Sequence, residues 1–402
     1  MKSAASIHSA GGVDRGCEAA QGDGAVEARG RESGLKSGEQ RPRGYVGRFA
    51  PSPTGPLHAG SLQTALASWL DARAHEGRWL LRIEDVDTPR CTRSAALDII
   101  ACLAAHGLHP DGAIGWQSLR RRRYDAAIAK LLALGRLYRC DCSRSRIAAA
   151  LRRGGWIDAP HRERPYPGLC RSGMRNGGEG ALRLRLDPGE IVWEDRRMGS
   201  QVETPALSIG DFVLRRADGI DSYHLAVVVD DEADGVTDVV RGDDLLGSTA
   251  RQIALQRVLG YRSLRYLHLP VLRDVRGEKL SKQQGARALD ARDAVPNLQS
   301  AVEALGLGRI GEGGIEGSGE RGIRRTRDGG IGSIRGVRVE SILAEAIVRW
   351  RQARIAVEPV IGTAARLGSW GRGGVRGGMR GEGRGEGWTV TSCSTKADPL
   401  GG

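Results

Sequence analysis

Aromatic side chains are scarce in this chain, at 4% of 402 residues with only 2 Phe. A core can form only where the other apolar residues are concentrated, because burial has to offset roughly 1–2 kcal/mol of backbone entropy per ordered residue. Long apolar runs are missing as well. None approaches the roughly 18 residues of a membrane span, and Met1 to Gly12 lacks the apolar stretch of a secretory signal. A cytoplasmic chain without a membrane partner is therefore expected. Cysteine is sparse and odd in number, seven in all, with Cys140, Cys142 and Cys170 close together. That pattern argues against a disulfide framework and for thiolate chemistry or metal binding. No internal repeat is present.

Acidic residues are outnumbered, 48 against 61 Lys+Arg, for a net charge of +13. The surplus fits a polyanionic partner such as nucleic acid, although a solvated surface would also carry it. Glycine is abundant but uneven. Residues 1–44 hold 9 of the 59 glycines and residues 306–402 hold 25, which leaves 25 for the 261 residues between. The glycine-rich ends bury too little to order themselves. The expected organisation is a disordered extension over 1–44 and a catalytic body over 45–289, followed by a partly helical segment over 290–361 with a Gly-rich insertion at 306–336. A Gly/Arg-rich disordered tail over 362–402 completes it.

Within the body, Tyr45 to Ala50 reads as a strand and Pro51 to Pro56 as a loop stiffened by three prolines. Leu57, Leu62, Leu66, Trp69 and Leu70 recur at nearly helical spacing, and Trp79 to Ile83 reads as a buried strand. Strand, helix and strand over about forty residues make a βαβ unit, hence a parallel sheet. Helices are expected at 94–106, 124–137, 249–259 and 341–356. Strands are expected at 181–186, 212–215, 223–229 and 265–272, the triple valine of 227–229 marking a central parallel strand. The cysteine-bearing segment 138–172 interrupts this alternation as an inserted subdomain. The fold class is α/β, with a Rossmann-like parallel-sheet catalytic domain, this insertion and a short helical C-terminal part.

Three clusters carry chemistry. A glycine-containing strand-to-helix turn at 51–61 offers free backbone N–H groups and the positive end of a helix dipole, which favour a phosphate. There His58 can donate to the phosphate, and Gly60 lets a planar base lie against the backbone. Gly277 to Gln283 is a polar loop whose Lys279 and Lys282 can meet charge developing on a transferring phosphate. Cys140 and Cys142, with Cys170 downstream, fit three thiolates of a tetrahedral zinc site. Taken singly, each has a plainer reading as a surface turn, a solvated loop or buried thiols.

His58-Ala-Gly-Ser61 and Lys279-Leu-Ser-Lys-Gln283 resemble the two signature motifs of class I aminoacyl-tRNA synthetases. Gly47 to Gly60, Arg82 to Arg90, Leu225 to Asp231 and Val240 to Leu245 are similar to the glutamate-specific branch. A dicarboxylic amino acid needs two cationic partners and an anion for its ammonium group. Arg48 and Arg241 suit the carboxylates, Glu84 the ammonium, and Tyr223 offers a phenolic donor. The resemblance places these four around glutamate together with Ser52, in a segment that also holds Phe49, Ala50 and Pro51. It implies that His58, Gly60 and Lys282 bind ATP, and that His58, Gly60, Lys279 and Lys282 form the catalytic set.

The spacing of Cys140, Cys142, Tyr166 and Cys170 resembles the metal pattern of glutamyl-queuosine tRNA(Asp) synthetases, with Tyr166 as fourth zinc ligand. His161 in the intervening loop is the alternative, with a chemically better nitrogen. Only 119 residues follow Gln283, too few and too glycine-rich for the helical anticodon-binding domain of a discriminating glutamyl-tRNA synthetase. The family implies a structural Zn2+, Mg2+ with ATP, and three partners: ATP, L-glutamate and the queuosine-bearing anticodon arm of tRNA(Asp). A monomer is expected. The implied activity is ATP-dependent glutamate activation and transfer to that queuosine. The rival readings are a glutamyl-tRNA synthetase charging the 3′ end of tRNA(Glu), and a non-catalytic zinc-containing RNA-binding module.

Overall fold

A computed structural model describes residues 44–159, 163–175, 177–272, 287–311 and 338–356. Residues 1–43, most of the Gly-rich insertion and the tail beyond 356 lie outside the described residues, as do Lys279, Lys282 and His161. The chain begins with β1 (Val46–Phe49), α1 (Ala59–Ala74) and β2 (Arg78–Ile83), and β1 pairs with β2 in parallel as expected for a βαβ unit. Helix α1 starts where the His58 side chain accepts from the Ser61 backbone N–H. It buries Leu62, Leu66, Trp69 and Leu70 and ends before Gly77, where a Cβ would sit 2.4 Å from the Tyr45 carbonyl oxygen. Only glycine permits the strand to begin that close to β1.

Next come α2 (Arg93–Ala105), β3 (Gly115–Trp116), α3 (Arg121–Ala133), β4 (Leu137–Cys140) and α4 (Arg144–Arg153). The chain continues through β5 (Ala181–Leu184), the hairpin β6 (Ile191–Asp195) and β7 (Gly199–Glu203), a single-turn α5 (Pro205–Ser208) and β8 (Val213–Arg215). It proceeds with α6 (Tyr223–Ala233), β9 (Asp238–Gly242), α7 (Leu246–Leu259) and β10 (Arg265–Leu269), then α8 (Ala294–Ala304) and α9 (Val339–Ala356).

The segment expected as a strand over 223–229 is the helix α6. Ser222 caps it by accepting the Leu225 N–H, and every residue from Leu225 to Asp231 is buried. A short apolar run enclosed on all sides has no exposed face to display a period, so its valines could not distinguish strand from helix. The third helix is also shifted: α3 opens at Arg121 and closes at Ala133, and Leu137 already belongs to β4.

The parallel sheet lies in two pieces, β3-β2-β1 and β9-β10-β6-β7, with β7 antiparallel at the edge. They meet where Thr237, just before β9, donates its N–H to the Val46 carbonyl (2.9 Å) and accepts the Val46 N–H on Oγ1 (2.8 Å). One core lies under α1 and takes in Leu298 of α8 and Ile342 and Leu343 of α9, so the C-terminal helices close over the first half of the sheet. A second core packs α6 and α7 against Tyr266 of β10. The cysteine segment joins a separate antiparallel sheet, β4-β5-β8. Among the described residues, no helix is long and apolar enough to cross a membrane.

Candidate active site

The first turn of α1 and the carboxyl ends of β1, β2 and β9 open on one cavity of about 210 Å³. Open α/β sheets place their ligands in that position. Arg48, Phe49 and Ala50 from the end of β1 line it with His58, Gly60, Ser61 and Thr64 from the turn into α1. Glu84, Tyr223 and Arg241 complete the polar wall with Asp244. Pro51 and Ser52 are not in the lining; the Pro51 carbonyl accepts the Glu84 N–H at 3.0 Å and ties the loop to the end of β2.

The two arginines are held differently. Arg48 is buried, with Nε 3.2 Å from Asp231 Oδ1 on α6. Asp231 also meets Arg82 Nη1 at 2.7 Å, and against the upward push of burial these two guanidinium groups hold its carboxyl below the ordinary range. Arg241, equally buried, donates to three neutral acceptors: His268 Nε2 (3.0 Å), Gln252 Oε1 (2.8 Å) and Thr249 Oγ1 (2.9 Å). Among the described residues no carboxylate pairs with it. Its charge faces the cavity without a paired carboxylate among these residues, which suits an anionic ligand.

Glu84 is buried, 3.6 Å from Arg82 Nη2. Burial pushes its carboxyl up to about 7, with Arg82 and Arg48 pulling it back in part. At neutral pH it is poised to lose its proton to the solvent when a cation arrives. Burial also raises the Tyr223 phenol, which stays a neutral donor. His58 Nδ1 accepts from the Ser61 N–H (3.3 Å), and its Nε2 lies 3.0 Å from Ser61 Oγ.

About the β4–α4 turn, the thiol sulfurs of Cys140, Cys142 and Cys170 lie within 4.8 Å of one another. Tyr166 Oη is 3.3 Å from the Cys140 sulfur and 3.6 Å from that of Cys142, and it accepts the Cys170 N–H at 2.9 Å. Tetrahedral Zn–S bonds near 2.3 Å put thiolate sulfurs about 3.8 Å apart, and Cys142 and Cys170 are already 3.5 Å apart. The donor set therefore fits a zinc ion with Tyr166 in reach. Tyr166 is held there by its N–H to the Ile209 carbonyl (2.8 Å) and by Gly210, where φ is +69° and a Cβ would sit 2.2 Å from the Tyr166 backbone carbonyl oxygen.

Residues 45–307 match the family of class I tRNA synthetases (E and Q), catalytic domain. The chain belongs to this family. The synthetase is 54% identical over 272 residues to the glutamyl-Q tRNA(Asp) synthetase of Burkholderia cenocepacia (strain HI2424), covering 67% of this chain and 90% of that one. It is 50% identical over 285 residues to that of Albidiferax ferrireducens (65% and 92%), and 55% identical over 266 residues to that of Bordetella bronchiseptica (65% and 82%). The crystal structure of glutamate-tRNA synthetase from Elizabethkingia anophelis matches at a TM-score of 0.53 and 28% identity, over 60% of this chain and 53% of that one. The synthetase thus spans about half the length of that larger relative.

Of the residues singled out in the sequence, Arg48, Phe49, Ala50, His58, Gly60, Glu84, Tyr223 and Arg241 share the one cavity. Lys279 and Lys282 lie outside the described residues, but the chain leaves the described part at the cavity wall, through Val271 and Leu272. It returns beside His58, with Ala288 bridged to His58 and the Leu289 N–H on the Leu57 carbonyl at 3.0 Å. Sequence reasoning missed the residues behind the wall: Asp231 and Arg82 as paired supports of Arg48, and Thr249, Gln252 and His268 around Arg241. Thr249 and Gln252 stand three apart on α7, the spacing of one helical face, which is the one signal that pointed to them.

Proposed function

We propose that this synthetase activates L-glutamate with ATP and transfers the glutamyl group to queuosine in the anticodon of tRNA(Asp). The observation that carries the reading is the convergence of Arg48, Glu84, Tyr223 and Arg241 in one cavity with His58 and Gly60. Arg241 and Arg48 take the carboxylates of the substrate, Glu84 takes its ammonium group and Tyr223 donates from the α6 terminus. The glutamate α-carboxylate oxygen attacks the α-phosphorus of ATP and pyrophosphate leaves. Magnesium accompanies ATP and screens its phosphates when bound. His58 and Lys282 stabilise charge on the reacting phosphate, with Lys279 in the same catalytic loop. A queuosine hydroxyl oxygen then attacks the glutamyl carbonyl, AMP leaves, and the hydroxyl proton passes to solvent. Cys140, Cys142, Tyr166 and Cys170 would hold a structural zinc ion that ties the β4–α4 turn to the loop carrying Tyr166.

Identity of 50–55% over most of the length of glutamyl-Q tRNA(Asp) synthetases favours queuosine as the acceptor. The solved glutamate-tRNA synthetase, at 28%, supports the second reading, in which the acceptor is the 3′ end of tRNA(Glu). Labelled glutamate offered with ATP to tRNA(Asp) with queuosine, tRNA(Asp) without it, and tRNA(Glu) separates the two. Label on the queuosine-bearing tRNA alone is expected. Label on tRNA(Glu) would transfer the assignment to the second reading, and label on none would overturn both.

A further inference from the structure

Arg241 ends a buried chain that begins outside the cavity. Asp195, at the end of β6, accepts the backbone N–H groups of Arg197 (3.0 Å) and Met198 (2.9 Å), and its Oδ2 lies 2.6 Å from His268 Nδ1. His268 in turn receives the Arg241 Nε–H on Nε2. The lone pair on Nε2 can accept only if the imidazole proton sits on Nδ1, the nitrogen facing Asp195. Burial holds His268 below its ordinary range, toward the neutral form this arrangement needs. Asp195 and His268 are both buried and neither lines the cavity.

We propose that Asp195 and His268 are positioning residues that make this synthetase select a side-chain carboxylate. They fix the imidazole tautomer, which aims Arg241, and among the described residues no carboxylate pairs with its charge. A carboxylate ligand gains that full charge, whereas a carboxamide such as glutamine gains only a neutral hydrogen bond. The inference rests on the reading that Arg241 binds glutamate, and takes its side-chain carboxylate.

The test is glutamate-dependent ATP–pyrophosphate exchange by the full chain and by Asp195→Asn, His268→Phe, His268→Gln and Arg241→Ala, with the KM of glutamate and of ATP measured separately. Asp195→Asn and His268→Phe are expected to raise the KM for glutamate about 10- to 100-fold, as for loss of a hydrogen bond to a charged group, while the KM for ATP stays within about twofold. His268→Gln, whose amide oxygen can still accept the Arg241 Nε–H, is expected to recover most of the loss. An unchanged glutamate KM in folded Asp195→Asn and His268→Phe would overturn the proposal. So would failure of both variants to fold, since residues that only stabilise the fold behave that way. If Arg241→Ala itself leaves the glutamate KM unchanged, the underlying reading fails instead.

Discussion

The chemistry of Glu84 is exposed to pH. Its carboxyl titrates near 7 in the ligand-free protein, against an ordinary value of 4.5, because it is buried. The raised value means that the folded state binds the proton more tightly than the unfolded chain. Its contribution to the ligand-free fold therefore becomes less favourable as pH rises from about 4.5 to about 7. With Glu84 in its proposed role, glutamate binding should have the opposite dependence, because the ammonium group needs the carboxylate. The dissociation constant for glutamate should rise by up to about tenfold for each pH unit below 7, and titration calorimetry should register proton release near neutrality. Glu84→Gln should bind glutamate more weakly and lose this dependence between pH 5.5 and 7. An unchanged slope in the variant would remove Glu84 from the site.

Two elements make predictions of their own. In the cysteine module, Gly210 lets the Tyr166 backbone approach closely, so Gly210→Ala forces Tyr166 away from Cys140 and Cys142. Metal analysis after gel filtration should find about one zinc per wild-type chain and clearly less in the variant. Helix α9 is the second element. Its Trp350 is buried against α1, and the indole N–H donates to Asp71 Oδ1 at 3.0 Å. Asp71 also accepts the Tyr45 hydroxyl (2.5 Å) and Arg196 (2.8 Å to Nη2), so one carboxylate joins α1, β1, the β6–β7 turn and α9. Trp350→Ala should cost about 3–5 kcal/mol and lower the thermal midpoint by about 10 °C, whereas Trp350→Phe should lose less. Calorimetry showing no shift for the alanine variant would mean that α9 does not belong to the folding unit.

At the scale of the whole molecule, the cavity exists because two pieces of sheet meet at Thr237. Arg48 lies two residues beyond Val46 on β1, and Arg241 four beyond Thr237 on β9. The seam therefore sets the separation of the two cavity-lining guanidinium groups. Thr237→Ala leaves the Val46 N–H without its 2.8 Å partner and should destabilise the protein by about 1–3 kcal/mol. It should also raise the glutamate KM more than the ATP KM, and Thr237→Ser should restore both. A loss of stability with no change in either KM would show that the seam does not set the site.

The amino-acid sequence by itself determined the local pieces of this protein. The βαβ unit, the His58–Gly60 turn, the cysteine spacing and the candidate glutamate residues were legible because each is encoded by neighbours in the chain, through turn chemistry, helical period or motif spacing. Tertiary structure decided what those pieces face. The run from Tyr223 to Val229 became helix because from Leu225 on it is enclosed, where packing outweighs the strand preference of valine. Asp195, His268 and the Thr249–Gln252 pair come from three separate elements that no single sequence pattern links, yet around Arg241 they leave a buried positive charge that no carboxylate among the described residues pairs with. Whether a charge is neutralised inside the fold or left open to a ligand depends on distances of a few ångströms between residues far apart in the chain, and only the folded arrangement sets those distances.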